Sequence, residues 1–215
     1  LVENSLDAGA SEVRIELESG GRQRIAVIDD GSGMDRDDAL LAFDRHATSK
    51  ISSFEDLERV GSLGFRGEAL ASIAAVAKVE LLTAETPGDG TRVRLEGGRI
   101  VVAEPAARTR GTTFEIRSLF WNVPARRKFL KSPETELRRA LETVQAYALA
   151  RPEVRFTVMH EGRTLLDALP NGGSPAAPES LAAARARIGQ IFGDSFARSL
   201  AEIPEGSDLS LREGE

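Results

Sequence analysis

Hydrophobic positions change their spacing early in the chain. Residues 1–8 carry apolar side chains at helical spacing before Gly9, a residue that commonly follows the last turn of a helix. Residues 13–17 alternate between apolar and polar side chains, and residues 25–28 are apolar without interruption. Alternation is typical of a half-buried strand, and an uninterrupted apolar run is typical of a strand inside a sheet. The pattern therefore predicts a helix followed by a β-hairpin.

The same patterns predict the elements of the remaining chain. Residues 44–67 have little periodicity and predict a long loop, which in a compact domain is usually functional. Residues 170–178 are rich in Pro, Gly and Ala and predict a linker. Helices are predicted over residues 35–43, 68–77, 134–150 and 180–192, and strands over residues 79–83, 91–95, 99–103, 112–116, 154–159, 163–166, 200–203 and 209–211.

Composition narrows the classes of protein that fit this pattern. The chain has 215 residues, 41% of them hydrophobic, with 28 Lys and Arg against 34 Asp and Glu and no cysteine. The absence of cysteine excludes disulfide scaffolds, thiol nucleophiles and cysteine-based metal sites. The net charge of −6 argues against a surface adapted throughout to nucleic acid. No apolar run approaches the ~20 residues of a membrane helix.

Several common catalytic motifs are absent from the sequence. It contains no Gly-Lys-Ser/Thr, so a Walker-type phosphate loop is excluded. Its only histidines are His46 and His160, and neither has the spacing of a zinc hydrolase helix. The candidate chemistry therefore rests on three other motifs.

The first motif is the helical sequence around Asn4. The amide oxygen of Asn4 is a suitable ligand for a Mg²⁺ ion that is held mainly by triphosphate oxygens. Taken alone, this residue is better explained as a helix cap or a solvated side chain.

The second motif is Asp-Asp-Gly-Ser-Gly at residues 29–33, directly after the apolar strand. The carboxylate of Asp29 can accept a hydrogen bond from the exocyclic amine of adenine, where guanine presents a carbonyl. Gly31 and Gly33 lack the Cβ that would keep a flat base away from the backbone. An ordinary turn explains the motif equally well, because Asp-Gly is a common turn dipeptide.

The third motif is the glycine-rich sequence from Gly61 to Leu70, which leads into a predicted helix. Glycines let the backbone wrap an anion, and the amides of a first helical turn point toward it. The guanidinium of Arg66 can add a bidentate hydrogen bond to a phosphate. A flexible loop with Glu68 as an ordinary first-turn acid is the simpler alternative.

The three motifs together are far more specific than any one of them. An Asn on a helix, Asp-x-Gly-x-Gly after a strand and a glycine-rich loop before a helix resemble the GHKL ATPase superfamily. Four strings closely resemble the MutL family of DNA mismatch repair proteins within it. These strings are Val-Glu-Asn-Ser-Leu-Asp-Ala-Gly-Ala, Arg-His-Ala-Thr-Ser-Lys, Gly-Phe-Arg-Gly-Glu-Ala-Leu and Asn-Val-Pro-Ala-Arg-Arg-Lys-Phe-Leu.

The resemblance implies a fold and a division of the chain. The fold would be the α+β GHKL (Bergerat) fold, a two-layer sandwich of helices on a mixed, mainly antiparallel sheet. Residues 1–169 would form the ATP-binding domain, residues 170–179 a linker, and residues 180–215 the start of a ribosomal-S5-like transducer subdomain.

The resemblance also implies roles for individual residues, with ATP and Mg²⁺ as cofactors. Asn4 would coordinate Mg²⁺, and Asp29 would read the adenine amine. Gly33 and Thr113 would lie near the base. The lid that orders over ATP would include Thr48, Ser49 and Lys50, and the phosphate cradle would include Leu63, Gly64, Arg66, Gly67, Glu68, Ala69 and Leu70.

One family residue is expected just before the chain. The family's general base is a Glu four residues before the Mg²⁺ asparagine, a spacing that places both on one helical face. Counting back from Asn4 gives the position before Leu1, and Glu3 is turned about 100° away from that face. The family's γ-phosphate lysine comes from the second subdomain. The expectation is that this chain hydrolyses ATP slowly or not at all, whereas its longer parent is an ATPase.

For that parent the resemblance implies an ATP-gated homodimeric clamp that couples mismatch recognition to strand removal. Its partners would be a MutS-type mismatch sensor, a downstream nuclease or helicase, and DNA bound weakly through its backbone. It would act in the bacterial cytoplasm, at the nucleoid during repair, and without a membrane partner. Arg126, Arg127 and Lys128 are candidate phosphate contacts, as are Arg138 and Arg139. A solvated helix face explains both groups too, and for Arg138 and Arg139 it is the better explanation.

Two alternatives stay open on the sequence alone. A topoisomerase ATPase head or a histidine kinase shares the three motifs, but neither His46 nor His160 lies in a phosphoacceptor helix, and a topoisomerase head should lack the last two strings. A nucleotide-binding scaffold that dimerises without meaningful hydrolysis is the other alternative. The residue encoded just upstream of Leu1 would distinguish it from an ATPase.

Overall fold

A computed structural model of the chain describes residues 1–44, 69–171 and 181–201. Within these residues the strands are β1 Glu12–Glu18, β2 Arg24–Asp29, β3 Lys78–Thr86, β4 Asp89–Glu96, β5 Arg99–Ala106, β6 Gly111–Arg117, β7 Arg155–His160 and β8 Arg163–Ala168. They form one sheet in the order β5-β4-β3-β6-β2-β1-β7-β8. The β1–β7 pair is parallel, and the other pairs are antiparallel. The expected mixed, mainly antiparallel sheet is therefore confirmed.

Two of the described helices begin at a side-chain cap. The carboxylate of Asp35 accepts a hydrogen bond from the backbone N–H of Asp38, and Ser132 does the same for Thr135, so each side chain satisfies an amide of a first helical turn. The helices in the described part of the chain are α1 Val2–Asp7, α2 Arg36–Leu41, α3 Ala69–Val76, α4 Pro124–Arg127, α5 Pro133–Ala150, α6 Leu181–Phe192 and α7 Asp194–Ser199.

The helices pack on one face of the sheet. In β1 the side chains of Val13, Ile15 and Leu17 are buried, whereas the residues between them are more exposed. The buried face forms one apolar cluster with α1, α5 and α6 and a second cluster with α2 and α3. Leu1 and Ile25 pack against both clusters, so the core is continuous. The predicted two-layer sandwich is confirmed.

The opposite face of the sheet is charged. Arg24 lies between two acids on neighbouring strands, with its Nη1 3.0 Å from Glu16 Oε2 and its Nε 2.6 Å from Glu115 Oε2. Further ion pairs join Arg92 to acids on its neighbouring strands. Alternating charges suit a solvated face. The pairs of Arg92 are exposed and contribute little stability individually, whereas those of Arg24 are partly buried.

The sequence pattern missed two short helices, α4 and α7. α4 has only four residues, and the apolar residues of α7 are Phe196 and Ala197 alone, so neither helix has the repeated apolar spacing that predicts one. Residues 200 and 201 are not in a strand, and the rest of the predicted strand over 200–203, like that over 209–211, lies outside the described residues. The predicted loop over 44–67 lies outside them too, except for Asp44.

A buried arginine fixes α6 to the sheet layer. Arg187 is 1% exposed and donates hydrogen bonds to the carbonyl oxygens of Ala148 at 2.7 Å, Leu169 at 2.7 Å and Val154 at 2.8 Å. Its guanidinium carbon also lies 5.9 Å from the centre of the Phe156 ring. Arg187 therefore joins α6 to the end of α5 and to the β7–β8 hairpin. The boundary expected at residues 170–179 stays a prediction.

Candidate functional site

The carboxylate of Asp29 is held in one orientation at the end of β2. Asp29 is 8% exposed and lies on the face of the sheet that the helices cover. Its Oδ1 accepts hydrogen bonds from the backbone N–H groups of Gly31 and Thr112, both at 3.1 Å, and its Oδ2 accepts one from Ser5 Oγ at 2.7 Å. An ionised carboxylate offers about four acceptor positions. One acceptor position therefore remains beyond these three bonds.

Ser5 links this carboxylate to the candidate metal helix α1. Ser5 is buried, whereas the adjacent Asn4 is exposed. Asn4 and Ala8 are four residues apart and so share a side of α1, and the Ala8 carbonyl accepts a 2.8 Å hydrogen bond from the backbone N–H of Ser32. The Asn4 side of the helix thus meets the loop that follows Asp29.

The residues near Asn4 suit a metal ion that is held mainly by the phosphate oxygens of a bound triphosphate. Among the residues that the structure describes, no group of three or more His, Cys, Asp or Glu side chains could hold a metal ion. A neutral amide oxygen such as that of Asn4 suits Mg²⁺ whose other ligands are phosphate oxygens and water. The described residues near Asn4 are therefore compatible with a Mg²⁺–triphosphate complex.

Gly31 and Gly33 are required by the packing of the loop itself. A Cβ on Gly31 would lie 2.8 Å from Ala8 Cβ, and one on Gly33 would lie 2.0 Å from the Ala84 carbonyl oxygen. Gly33 also has a φ of +73°, which L side chains rarely adopt. The two glycines seat the loop between α1 and β3, whatever their role beside a base.

The strand register corrects the position of the candidate threonine. Asp29 pairs with Thr112, and Ile28 pairs with Thr113. Successive side chains of a strand point to opposite faces, so Thr113 lies on the face away from the Asp29 carboxylate. A shift of one residue therefore moves the candidate from Thr113 to Thr112, whose backbone N–H already contacts Asp29.

A buried threonine that the sequence analysis did not identify lies beside Thr112 and the loop after β2. Thr83 is fully buried, and its Oγ1 accepts a 2.9 Å hydrogen bond from the backbone N–H of Met34. The same Oγ1 lies 3.1 Å from Thr112 Oγ1. The available signal was a polar residue at an inward position of β3, where Val79 and Leu81 are apolar. The sequence analysis also did not identify Ser5 or Arg108, because their hydrogen-bond partners are distant in sequence. Arg108 is described below.

Asp30 has a structural role beside the site. It accepts hydrogen bonds from the Ser11 hydroxyl and from the backbone N–H groups of Ser11 and Glu12. Partial burial raises the pKa of Asp30, but these hydrogen bonds outweigh that effect and hold the pKa below its usual value. Asp30 therefore stays ionised at neutral pH and ties the start of β1 to the end of β2.

The structure describes only the end of the third motif. The expected lid and phosphate residues Thr48, Ser49, Lys50, Leu63, Gly64, Arg66, Gly67 and Glu68 lie outside the described residues. Ala69 and Leu70 are described and form the start of α3. Leu70 packs against the second apolar cluster, which indicates a core side chain. Its role and that of Ala69 beside phosphate stay predictions.

The basic residues after β6 lie at the far end of α3. Asn122 Nδ2 donates a 2.8 Å hydrogen bond to the Ala75 carbonyl, so this segment is fixed to the C-terminal end of α3. Arg126, Arg127 and Lys128 follow and are exposed, and Phe129 beside them is 80% exposed. An eight-residue helix is ~12 Å long. The basic group is thus separated from the start of α3, where phosphates are expected.

Comparison with known proteins points to one group of ATPases. A family model described as Histidine kinase-, DNA gyrase B-, and HSP90-like ATPase matches residues 1–98. The chain is 53% identical over 174 residues to DNA mismatch repair protein MutL of Anaeromyxobacter dehalogenans, covering 80% of this chain and 29% of the relative. It is 48% identical over 215 residues to the MutL of Opitutus terrae, covering 100% of this chain and 32% of the relative.

Solved structures agree with the sequence comparisons. The Aquifex aeolicus MutL ATPase domain complexed with ADP superposes with a TM-score of 0.66 at 33% identity, covering 89% of this chain and 65% of that one. The N-terminal domain of a DNA repair protein superposes with a TM-score of 0.76 at 28% identity, covering 94% and 57% of the two chains. The chain spans less than a third of the length of the curated relatives named above.

Proposed function

Because the chain belongs to the MutL family of GHKL ATPases, we propose that it forms the nucleotide-binding part of a longer mismatch repair protein that binds and hydrolyses ATP. The longer protein would act as an ATP-gated homodimeric clamp that couples mismatch recognition to strand removal. The similarity to MutL proteins favours this function over a topoisomerase head, a histidine kinase or a scaffold without hydrolysis.

The observation that carries the proposal is the fixed carboxylate of Asp29. Three hydrogen bonds from three separate segments hold it, from α1, from the loop after β2 and from β6. A buried acceptor held this rigidly selects a ligand that donates a hydrogen bond there, as the exocyclic amine of adenine does. Guanine presents a carbonyl at that position and would leave the carboxylate facing another acceptor. Asp29 therefore provides the basis for selecting ATP.

Asn4 would add the metal contact. Mg²⁺ bound to the triphosphate neutralises negative charge that develops at the phosphates. Asn4 is exposed on the side of α1 that meets the loop after Asp29, and its neighbour Ser5 bonds to Asp29 directly. One short helix would thus position both the metal ligand and the base-reading carboxylate. Slow hydrolysis by the 215-residue chain itself stays a prediction.

Replacement of Asn4 by Ala tests this assignment. We expect the dissociation constant for ATP with excess Mg²⁺ to rise about tenfold, because the metal ion then has no ligand from α1. The dissociation constant measured with EDTA should stay within about twofold of the original value. Isothermal titration calorimetry of the full chain under both conditions measures this. An equal loss of affinity with and without Mg²⁺ would show that Asn4 does not act through the metal.

The partners of the longer protein are also proposals. A homodimer formed on ATP binding, a MutS-type sensor and a downstream nuclease or helicase follow from the family, in a cytoplasmic protein that works on the nucleoid. No helix in the described part of the chain is long and apolar enough to cross a membrane. DNA would contact the exposed group Arg126, Arg127 and Lys128 through phosphates.

Charge reversal of Arg126 and Arg127 tests the DNA contact. We expect the affinity for duplex DNA at low salt to fall about tenfold or more, and the slope of log K against log salt to become shallower by about 0.9 for each phosphate that the variant no longer neutralises. The matched control reverses Arg138 and Arg139, which are exposed on α5, where Arg138 lies 3.9 Å from Glu142. Fluorescence anisotropy over a salt series measures both variants. Unchanged affinity, or the same decrease in the control, would contradict the assignment.

A further inference from the structure

An arginine in the segment between β5 and β6 bonds to the backbone on both sides of the candidate site. Arg108 Nε donates a 3.1 Å hydrogen bond to the Gly111 carbonyl, and its Nη2 donates a 3.1 Å hydrogen bond to the Asp29 carbonyl. The Arg108 carbonyl itself accepts a 2.8 Å hydrogen bond from the backbone N–H of Gly88. The guanidinium is therefore anchored at its own backbone and joins the ends of β2 and β6.

One of these bonds acts on the peptide group that contacts the Asp29 carboxylate. The carbonyl of Gly111 and the N–H of Thr112 belong to the same peptide unit, which is planar, so the orientation of one fixes the other. Arg108 Nε holds the carbonyl end of this unit, and its N–H end donates to Asp29 Oδ1 at 3.1 Å. Thr83 Oγ1 donates to the same carbonyl at 3.3 Å, so Arg108 and Thr83 together set the direction of a hydrogen bond that orients the carboxylate.

The second bond acts on Asp29 itself. A Cβ on Gly111 would lie only 2.2 Å from the Asp29 carbonyl oxygen, so the end of β2 and the start of β6 are in close contact. The φ of +114° at Gly111 is also one that L side chains rarely adopt. Without the guanidinium, the Asp29 carbonyl would lose its Arg108 donor, and the Gly111 carbonyl would keep the Thr83 hydroxyl, 3.3 Å away, but lose Arg108.

The charge of Arg108 fits this placement. Burial lowers the pKa of Arg108, and the nearby negative charge of Asp29 opposes that shift. The guanidinium nevertheless stays protonated at any pH that the fold tolerates. Two N–H donors in a rigid planar fork can reach two carbonyls at once, which a lysine ammonium on a flexible stem does less well.

We propose that Arg108 is a positioning residue for base recognition: by holding the Gly111–Thr112 peptide and the Asp29 carbonyl, it aligns the Asp29 carboxylate with the exocyclic amine of adenine. The inference rests on the proposed function, since it assumes that Asp29 reads that amine. Arg108 acts through Asp29 and has no role of its own at the phosphates or the metal.

The test compares ATP with purine riboside 5′-triphosphate, which has hydrogen in place of the exocyclic amine. We expect the original chain to prefer ATP by about tenfold or more, and Arg108→Ala to reduce the preference to about twofold by weakening ATP binding alone. Arg108→Lys should restore it only in part. Arg110→Ala, at an exposed arginine two residues away, is the matched control and should leave the preference unchanged. Fluorescence competition with the full chain measures each dissociation constant.

The outcomes separate the inference from the function on which it rests. If Arg108→Ala weakens both nucleotides equally, or changes neither, Arg108 is not a positioning residue for base recognition. If the original chain binds both nucleotides equally well, Asp29 does not read the exocyclic amine, and the proposed role of Asp29 is wrong whatever Arg108 does. Should Arg108→Ala fail to fold, Arg108→Gln, which keeps part of the side chain and an N–H donor, gives the same comparison.

Discussion

Replacing Asp29 with Asn lowers the affinity of the chain for ATP by about 100-fold or more. The carboxylate accepts from Ser5 Oγ, from two backbone N–H groups and, in the proposed complex, from adenine. Asparagine keeps one oxygen and gains an NH₂ group, so at least one of these donors would face another donor. An unpaired buried hydrogen-bonding group costs about 1–3 kcal/mol, and removal of the charge-assisted bond to adenine adds a similar amount. Titration calorimetry with ATP measures the change.

The control for this variant is Asp37→Asn, at an exposed position in the first turn of α2. It makes the same chemical change at an exposed residue that is not one of the candidate-site residues, and ATP affinity should stay within about twofold of the original value. A melting curve of Asp29→Asn shows whether the variant remains folded at the temperature of the titration. Unchanged ATP affinity in folded Asp29→Asn would contradict the role of this carboxylate.

Replacing Arg187 with Ala lowers the free energy of unfolding by about 3 kcal/mol. The side chain is almost fully buried and donates to four carbonyls, at the end of α5 and around the β7–β8 hairpin. Truncation leaves these carbonyls without their donor and opens a cavity against Phe156, and changes of this kind give the largest effects of single substitutions. For a chain of this size the decrease corresponds to a melting temperature lower by about 6–12 °C.

Urea denaturation and differential scanning calorimetry measure this change. The matched control is Arg185→Ala, two residues earlier on α6, where the guanidinium is partly buried and donates to the Leu200 carbonyl. Removal of that bond should cost about 1 kcal/mol or less. Equal destabilisation of the two variants would show that Arg187 does not have the special role in fixing α6 that its buried bonds indicate.

The features predicted correctly from the sequence are those that depend on nearby residues. Apolar spacing located the long elements, as in α5, where Leu137, Leu141, Val144 and Ala148 form the stripe that packs into the first apolar cluster. The motif after β2 identified Asp29 because an acid followed by glycines directly after an apolar strand is a local signal. The two-layer arrangement and the mixed sheet were predicted from the family resemblance, because pairing between strands that are distant in sequence leaves no local pattern.

The features that the sequence did not reveal depend on register or on distant partners. The choice between Thr112 and Thr113 requires the pairing of β6 with β2, because a shift of one residue exchanges the two faces of a strand. Arg108 and Arg187 lie in none of the motifs that the sequence analysis identified. Their bonds reach across 79 positions to Asp29 and 39 positions to Ala148, respectively, so only the folded chain shows them.

The most direct test of the central claim is the affinity of the full chain for ATP and for GTP, measured by titration calorimetry with Mg²⁺ present. If Asp29 reads the exocyclic amine of adenine, ATP binds and GTP binds at least about tenfold more weakly, because the guanine carbonyl meets the carboxylate. Equal affinity for the two nucleotides, or no binding of ATP at all, would contradict the assignment of this site.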